Sequence, residues 1–183
     1  MSEHLLEVDD LYVEFRTRDG VAKAINGVNY TLDAGETLAV LGESGSGKSV
    51  TAQTIMGILD MPPGFITGGQ IRYKGRDLLQ LPEKERQKIR GAEIAMIFQD
   101  SLSALNPVHK VGRQIAEMVR LHKKVSKREA RVRAIETLDL VGIPQPERRA
   151  DMYPHEYSGG MRQRAMIAMA IACDPALLIA DEP

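Results

Sequence analysis

Cysteine and long hydrophobic runs are almost missing from this 183-residue sequence. Cys173 is the single cysteine, so no internal disulfide can form. It has no cysteine or histidine near it at metal-ligand spacing, which fits a reducing compartment and a small buried hydrophobe. No apolar run approaches the roughly 20 residues that a membrane-spanning helix needs. The 24 basic and 25 acidic residues nearly cancel, so no global field favours nucleic acid or an anionic membrane.

Because of these absences, we expect a cytosolic or peripheral protein. The N-terminus Met1-Ser2-Glu3-His4 does not begin a secretory signal. The length and the 43% hydrophobic content suit one domain with a real core, with room for a small inserted subdomain.

Short apolar runs broken by turn residues open the chain. Three of them are predicted strands, namely residues 5–8, 11–15 and 28–32, and Asp19-Gly20 supplies a turn. Residues 68–73 are typical of an edge strand. The N-terminal part is therefore predicted to be a small antiparallel sheet.

Longer apolar runs alternate with helical patterns in the rest of the chain. Residues 37–41, 94–98 and 176–180 have the pattern of strands buried on both faces of a parallel sheet. Helical patterns cover residues 49–59, 82–90, 111–121 and 126–141, and a further one follows Gly160 and ends near residues 174–175. The fourth opens with the capping box Ser126-Lys127-Arg128-Glu129. This alternation predicts an α/β layered core, with a helical lobe between the second and third buried strands.

A glycine-rich segment joins the first buried run to the first helix. It reads Gly42-Glu43-Ser44-Gly45-Ser46-Gly47-Lys48-Ser49 and matches G-x-x-x-x-G-K-[ST] in the required strand-to-helix context. The glycines let backbone N–H groups surround phosphate oxygens, and the helix N-terminus adds partial positive charge. Lys48 is expected to reach the β- and γ-phosphates and Ser49 to ligate Mg²⁺. The motif predicts a nucleoside triphosphate site.

Two acids end the third buried run. Asp181 and Glu182 are a weak pattern alone, but a strong one in a chain that also carries the phosphate loop. A carboxylate at the end of a neighbouring buried strand can hold Mg²⁺, and the next acid can orient or deprotonate the attacking water. We assign Asp181 the metal role and Glu182 the catalytic role.

A third motif, Tyr157-Ser158-Gly159-Gly160-Met161-Arg162-Gln163-Arg164, precedes the acidic strand. A serine and two glycines at a helix start offer a hydroxyl and backbone donors to a terminal phosphate. With the Walker A loop and the Walker B acids, this segment resembles the signature motif of the ABC ATPases. The resemblance implies that it serves the nucleotide held by a second subunit, so that two sites form at a head-to-tail dimer interface.

The resemblance also assigns roles to single residues. Gln99 is similar to the glutamine that contacts the metal or the lytic water. Phe15 resembles the aromatic that stacks on adenine; Tyr12 is the alternative, because stacking needs only a flat π face, and Phe15 can also be a core aromatic. The implied catalytic residues are Glu182, Gln99 and Lys48, and the implied metal ligands are Ser49, Gln99 and Asp181. The implied nucleotide contacts are Gly42, Glu43, Ser44, Gly45, Ser46, Gly47, Lys48, Ser49, Val50, Phe15, Ser158, Gly159 and Gly160.

Within that family, the chain is most similar to the ATPase subunits of peptide and nickel importers. The similarity rests on Val50-Thr51 after the phosphate loop, on Leu105-Asn106-Pro107 after Gln99 and on Tyr153-Pro154-His155-Glu156 before the signature. Two departures from the usual family sequence weaken the substrate prediction more than the ATPase prediction. Residues 100–104 differ from the usual Asp-Pro-Met-Thr-Ser, and Tyr157 replaces the common Leu or Phe.

The resemblance implies a motor that uses ATP and Mg²⁺ to drive import of oligopeptides, dipeptides or nickel. Its implied partners are a second ABC ATPase subunit, identical or different, transmembrane permease subunits and, indirectly, an extracytoplasmic substrate-binding protein; nucleic acid is not expected. Its implied location is the cytoplasmic face of the bacterial inner membrane, as a peripheral subunit.

The implied fold is a P-loop NTPase (RecA-like) core with an N-terminal antiparallel β subdomain and an inserted helical subdomain. Residues 1–99 are expected to hold the β subdomain and the Walker A core, 100–157 the mainly helical subdomain and 158–183 the signature helix and Walker B strand. In the family the D-loop and the switch histidine follow, so we expect the C-terminal part of the core to be absent. We expect the 183 residues to bind nucleotide but to hydrolyse it poorly.

Two other functions remain open from the sequence. One is a soluble ABC-type ATPase that acts on nucleic acid or ribosomes, which the neutral charge disfavours; the other is a non-catalytic nucleotide-binding fragment. The basic residues His122, Lys123, Lys124, Lys127, Arg128, Arg131 and Arg133 are interpreted as a solvated helical face. We interpret His109, His122 and His155 as structural or surface residues, because they lack metal-ligand spacing.

Overall fold

The computed structural model describes residues 4–99 and 104–182. It divides the chain into two compact units, the first ending at Arg86 and the second beginning at Gln87. The first three residues, Pro183 and most of the segment that departs from the family pattern, residues 100–103, lie outside the described residues. The two units are described in turn.

A four-stranded antiparallel sheet dominates the first unit, as the sequence predicts. Its strands are β1 (Leu6–Thr17), β2 (Gly20–Leu32), β3 (Gly64–Tyr73) and β4 (Arg76–Asp77), in the spatial order β2-β1-β3-β4. β1 and β2 form a hairpin in which Thr17 pairs with Gly20 around a two-residue turn. The core of this unit is apolar and includes the fully buried Leu11, Ile71 and Tyr73.

Three details of the predicted sheet are wrong. β2 begins at Gly20 and not at the predicted residue 28. Residues 5–8 and 11–15 do not form separate strands, because the chain passes Asp10 at a φ of 47° as an irregularity within β1. Residues 68–73 belong to β3, which lies between β1 and β4 and is not an edge strand. The chain returns beside β3 because Lys74 and Gly75 both adopt positive φ and make a tight turn.

The predicted buried strand at residues 37–41 is also wrong. No described strand pairs with this segment, and its apolar side chains are exposed: Leu38 by 44%, Val40 by 55% and Leu41 by 92%. A strand forms when its backbone N–H and C=O groups pair with a neighbouring strand on at least one side, and neither described sheet supplies such a neighbour here. The apolar pattern alone therefore does not make this segment a strand.

Helix α1 (Lys48–Met56) follows the glycine-rich loop. It ends at Met56, earlier than the predicted residue 59, because Gly57 adopts a left-handed conformation and its N–H closes the helix on Gln53 and Thr54 carbonyls. Ala52, Ile55 and Met56 are the buried apolar residues of this helix.

A pair of parallel strands forms the sheet of the second unit. β5 (Ile94–Ile97) is buried along its whole length, whereas β6 (Leu177–Ala180) buries only Leu177. The prediction of a run buried on both faces holds for β5 and is wrong for β6, which has one neighbouring strand among the described residues. Helix α2 (Glu83–Ile89) precedes β5, close to the predicted span.

Helices make up most of the second unit. They are α3 (Val111–His122), α4 (Lys127–Leu140), the short α5 (Pro146–Arg149) and α6 (Gly159–Ile171), with a 3₁₀ turn at Pro154–Glu156. The predicted capping box is confirmed, since Ser126 and Glu129 each bond the other's backbone N–H. Ile115, Leu138 and Ala165 meet in a common apolar core of α3, α4 and α6. Across residues 4–99 and 104–182, no helix combines the length and hydrophobicity needed to cross a bilayer.

Candidate functional site

The glycine-rich loop of the first unit turns tightly into helix α1. Ser46 N–H donates to the Glu43 carbonyl over 3.2 Å, and Gly45 and Gly47 adopt φ of 83° and 92°. A Cβ atom at Gly47 would also collide with the Ala24 carbonyl oxygen of β2, so glycine is required there on two counts. Strand β2 thereby fixes the point at which α1 begins.

The N-terminus of α1 has the properties of an anion site. Gly47 is its N-cap and supplies no side-chain acceptor, and the first turn contains no acidic residue. The first N–H groups of a helix have no intrahelical partner, and the helix dipole makes this end partly positive. A phosphate placed there satisfies the donors and the charge together.

The Lys48 ammonium lies within the loop that precedes it. Nζ donates to the Gly42 carbonyl over 2.7 Å and to the Glu43 carbonyl over 2.9 Å. These contacts hold a positive charge beside the backbone donors of the loop, where an anionic ligand would meet both. Ser49 follows directly in the first turn of the helix, so its hydroxyl is near the same end.

The two candidate aromatics for adenine differ in their surroundings. Tyr12 packs closely against two glycines of the sheet. A Cβ atom at Gly68 would lie 3.3 Å from its ring, and one at Gly27 would lie 2.9 Å from its hydroxyl. A hydrogen bond to Asp10, whose charge acts in the same direction, raises the pKa of Tyr12. Phe15 is only partly buried. Its cross-strand partners are the small residues Ala22 and Gly64, which favours Phe15 as the stacking residue.

In the second unit, strand register brings two of the predicted catalytic residues together. The parallel pairing joins Ile94 to Leu177 and continues in step to Ile97 and Ala180. Gln99 and Glu182 each lie two residues beyond the last pair. Parallel strands in register present their carboxyl ends side by side, so these two side chains meet.

Gln99 and Glu182 are directly hydrogen-bonded. Gln99 Nε2 donates to Glu182 Oε2 over 2.8 Å, and the Asp181 N–H continues the ladder to the Ile97 carbonyl over 3.0 Å. Glu182 adopts a φ of 47°, a left-handed conformation that is costly for a residue with a Cβ and concentrates at functional sites. An acid, a neighbouring acid and an amide therefore share one end of the β5–β6 pair.

The signature segment forms the start of α6. Ser158 is the N-cap, and its hydroxyl accepts the Met161 N–H over 3.3 Å. Apart from chain neighbours and the helix's own backbone, no described atom lies within 4 Å of a Cβ built at Gly159 or Gly160, so packing within the described residues does not explain either glycine. Below them Tyr157 is buried, and its hydroxyl donates to the Arg149 carbonyl over 2.9 Å. The segment is a firmly anchored helix start with an exposed backbone.

Sequence reasoning missed an ion-pair cluster that involves part of the basic run. Lys123 and Arg133 both bind Asp174, and Arg131 binds Asp151 over 2.7 Å, so these three cations are not simply a solvated face. No local pattern predicts the first cluster, because Asp174 lies 41 and 51 residues away from its partners. Of the predicted site residues, Phe15 and the phosphate loop lie in the first unit. The second unit contains Gln99, Ser158, Gly159, Gly160, Asp181 and Glu182.

Comparison with known proteins adds a decisive observation. The sequence profile of the family described as ABC transporter matches residues 25–183, which include the phosphate loop, Gln99, the signature segment and both terminal acids. The chain belongs to the ABC transporter family.

Curated relatives of this ABC-family chain are named for peptide transport. The oligopeptide transport ATP-binding protein OppD of Bacillus subtilis (strain 168) is 59% identical over 179 residues, which is 98% of this chain and 50% of OppD. The dipeptide transport ATP-binding protein DppD of the same organism is 52% identical over 181 residues, which is 99% of this chain and 54% of DppD. The chain thus spans about half the length of the curated relatives it matches.

A solved structure supports the fold. The dimeric post-hydrolysis state of the ATP-binding cassette MJ0796 bound to ADP and Pi has a TM-score of 0.84 to this ABC-family chain at 28% identity. The alignment covers 96% of this chain and 73% of the MJ0796 chain. The predicted fold class, a P-loop NTPase core with an N-terminal antiparallel β subdomain and a helical subdomain, is confirmed.

Proposed function

We propose that this chain is the ATP-binding part of the motor subunit of an ABC importer, which couples ATP hydrolysis to peptide uptake. The observation that carries the proposal is the Gln99–Glu182 hydrogen bond at the carboxyl ends of β5 and β6, in a chain that also has the phosphate loop. A carboxylate held by an amide is the pair of groups needed to position and deprotonate a water. The names of the curated relatives favour oligopeptides or dipeptides over nickel as the cargo.

The nucleotide would bind through its phosphates. Backbone donors of residues 42–50 and the Lys48 ammonium would hold the phosphate oxygens, and Phe15 would stack on adenine. Glu182 would act as the general base, with Gln99 orienting the water. Three of these groups have surroundings that suit their roles: a helix start without a side-chain cap, a cation held in the loop and a partly buried ring.

Mg²⁺ fits the chemistry of the proposed ligands. Ser49, Gln99 and Asp181 offer a hydroxyl, an amide oxygen and a carboxylate, which are the hard oxygen donors that Mg²⁺ prefers. Gln99 uses Nε2 to donate to Glu182, which leaves Oε1 as its donor oxygen. When bound, the ion would neutralise phosphate charge.

A second ATPase subunit is the proposed partner at the signature segment. Gly159 and Gly160 face open space, and glycines allow another molecule's phosphate to approach the helix start closely. The related cassette MJ0796 is described as dimeric. We propose that Ser158, Gly159 and Gly160 bind the nucleotide held by the partner's phosphate loop, with an identical or a similar subunit as that partner.

The remaining parts of the proposal follow from the transporter relatives. We propose permease subunits as membrane partners and a peripheral location at the cytoplasmic face of the membrane. From the sequence pattern we also propose a division of the nucleotide-binding domain at residues 99 and 157, whereas the first compact unit ends at Arg86. A soluble ATPase acting on ribosomes or nucleic acid is not favoured, because the curated relatives carry peptide-transport names.

The experiment that tests the function uses the complete protein in a strain whose chromosomal copy is deleted. We expect the wild-type gene to restore uptake of a radiolabelled tripeptide and the Lys48→Ala gene to fail at equal protein abundance. Exposed Lys23→Ala in β2 is the control and should restore uptake. Uptake that is unaffected by both the deletion and Lys48→Ala would refute peptide import. Purified protein without ATP turnover in the presence of its membrane partners would refute the motor role.

A further inference from the structure

Asp174 lies at the junction between α6 and β6 and is held by two helices. It adopts a left-handed conformation with a φ of 52°. Lys123, which follows the last residue of α3, donates from Nζ to Asp174 Oδ2 over 2.7 Å. Arg133 of α4 donates from Nη2 to Asp174 Oδ1 and from Nε to the Ala172 carbonyl over 3.0 Å. Both carboxylate oxygens are therefore bound to the helical lobe.

The end of α3 also contacts the segment that leads into β5. Gly91 lies three residues before β5 at a φ of 80°, and a Cβ built there would approach Met118 Cε and His122 Nε2 at 3.0 Å each. Any larger residue would push these side chains away. Thus the last turn of α3 packs against the amino end of β5, while Lys123 holds the amino end of β6.

The opposite ends of the same two strands carry the proposed catalytic pair. β5 and β6 are joined by a parallel ladder of four residue pairs, which makes them one short stiff unit about 13 Å long. Gln99 and Glu182 extend from its carboxyl end. A displacement of α3 and α4 would move the amino ends of both strands together, and the ladder would carry that displacement to the hydrogen-bonded pair.

We propose that Lys123, Arg133 and Asp174 form a positioning cluster that keeps the Gln99–Glu182 pair aligned with the helical lobe. The cluster acts through the two strands and does not touch substrate, so its members are positioning residues. This inference rests on the proposed function, in which Glu182 is the base and Gln99 orients the water.

Stability alone is a weak explanation for the cluster. The Asp174 side chain is 63% exposed, and its partners Lys123 and Arg133 are 40% and 31% exposed, so solvent screens each ion pair. Helix α4 offers a matched comparison in Arg131, which binds Asp151 with both guanidinium nitrogens at 3.1 and 2.7 Å. That pair joins α4 to the segment after α5 and contacts neither strand. Arg131→Gln and Arg133→Gln each remove a partly exposed arginine ion pair of α4, and Arg133 also pairs with Glu136 at 3.8 Å. Of the two variants, Arg133→Gln is the one that removes the link to Asp174 and the Ala172 carbonyl.

The first test measures turnover in the complete protein. For Arg133→Gln we expect kcat for ATP to fall about three- to tenfold with KM changed less than about twofold, since alignment and not binding is lost. Arg131→Gln should leave both within about twofold of wild type, while its melting temperature falls about as much as that of Arg133→Gln. The double variant Arg133→Gln/Asp174→Asn should be no slower than the slower single variant, because both remove the same link.

The second test does not depend on turnover. Amide hydrogen exchange in Arg133→Gln should speed up about threefold or more in peptides containing residues 97–99 and 180–182, at the far end of the strands, and should not do so in Arg131→Gln. Exchange that changes only around residues 172–175 would overturn the inference, as would equal kinetics in Arg133→Gln and Arg131→Gln. A wild-type protein that lacks ATPase activity refutes the proposed function, and the exchange result then decides on the positioning cluster by itself.

Discussion

Gln99 Nε2 donates to Glu182 Oε2 over 2.8 Å, so an amide and a carboxylate from two different strands are joined at one end of the β5–β6 pair. The contact is set by register, since both residues lie two positions beyond the last ladder pair. It unites a residue assigned to orient water with one assigned to remove its proton.

Replacement of the acid should separate nucleotide binding from hydrolysis. Glu182→Gln keeps the shape but loses the base, so we expect the ATPase rate of the complete protein to fall by roughly 10²-fold or more. The dissociation constant for ATP, measured by equilibrium titration, should change little. The exposed Glu147→Gln in α5 is the control and should keep wild-type turnover. Unchanged turnover in Glu182→Gln would show that another group is the base.

Removal of the loop cation should weaken nucleotide binding directly. Lys48→Ala deletes the ammonium that the loop carbonyls hold, and a charge-assisted hydrogen bond contributes about 1.5–3 kcal/mol. We expect the ATP dissociation constant to rise about tenfold to a hundredfold, whereas Lys23→Ala should leave it unchanged. Equal affinities in the two variants would mean that Lys48 does not meet phosphate.

Substitution of two loop glycines separates the cost of backbone strain from the cost of a steric collision. Gly45 and Gly47 both have positive φ, but only a Cβ at Gly47 meets the Ala24 carbonyl, while Gly45 faces open space. Gly45→Ala should cost about 1 kcal/mol of unfolding free energy from backbone strain. Gly47→Ala should cost at least about twice as much, measured by urea denaturation. Similar costs would show that β2 can shift away from the added methyl group.

The signature segment depends on a buried tyrosine. Burial raises the pKa of Tyr157 to about 12, so the hydroxyl stays protonated and can donate to the Arg149 carbonyl at neutral pH. Tyr157→Phe should lower the unfolding free energy by about 1 kcal/mol because that carbonyl loses its donor. Tyr157→Ala should cost about 3–5 kcal/mol through the cavity it leaves. Urea denaturation measures both, and equal losses would mean that the ring contributes little.

Acid should lower the stability of the second unit because it protonates two carboxylates that form ion pairs. The hydrogen bond from Arg131 holds the pKa of Asp151 below its usual 3.8, and that from Lys123 does the same for the pKa of Asp174. A lowered folded pKa means that the stabilisation is present above pH 3.8 and is lost as the pH falls through the folded value. We expect the difference in melting temperature between wild type and Asp151→Asn to be largest near neutral pH and to shrink below about pH 4. A difference that stays constant down to about pH 2 would contradict this assignment.

Local signals predicted most of the helices and the motifs. Apolar spacing and the Ser126–Glu129 capping box predict α3 and α4 within a residue or two, because helix hydrogen bonds are made within the segment. The same reasoning failed at residues 37–41 and at β6, where burial depends on which neighbouring strands are present. It also missed Asp174, whose partners come from distant helices. Hydrogen bonds within one segment can be predicted from the sequence, whereas contacts between distant segments cannot.

The phosphate loop is anchored unequally on its two sides. On one side it runs into a helix fixed against β2, and on the other it is reached through the exposed segment at residues 37–41. The approach segment has no strand partner among the described residues. A strand that paired with residues 37–41 would cover their exposed apolar side chains and hold the phosphate loop on its second side.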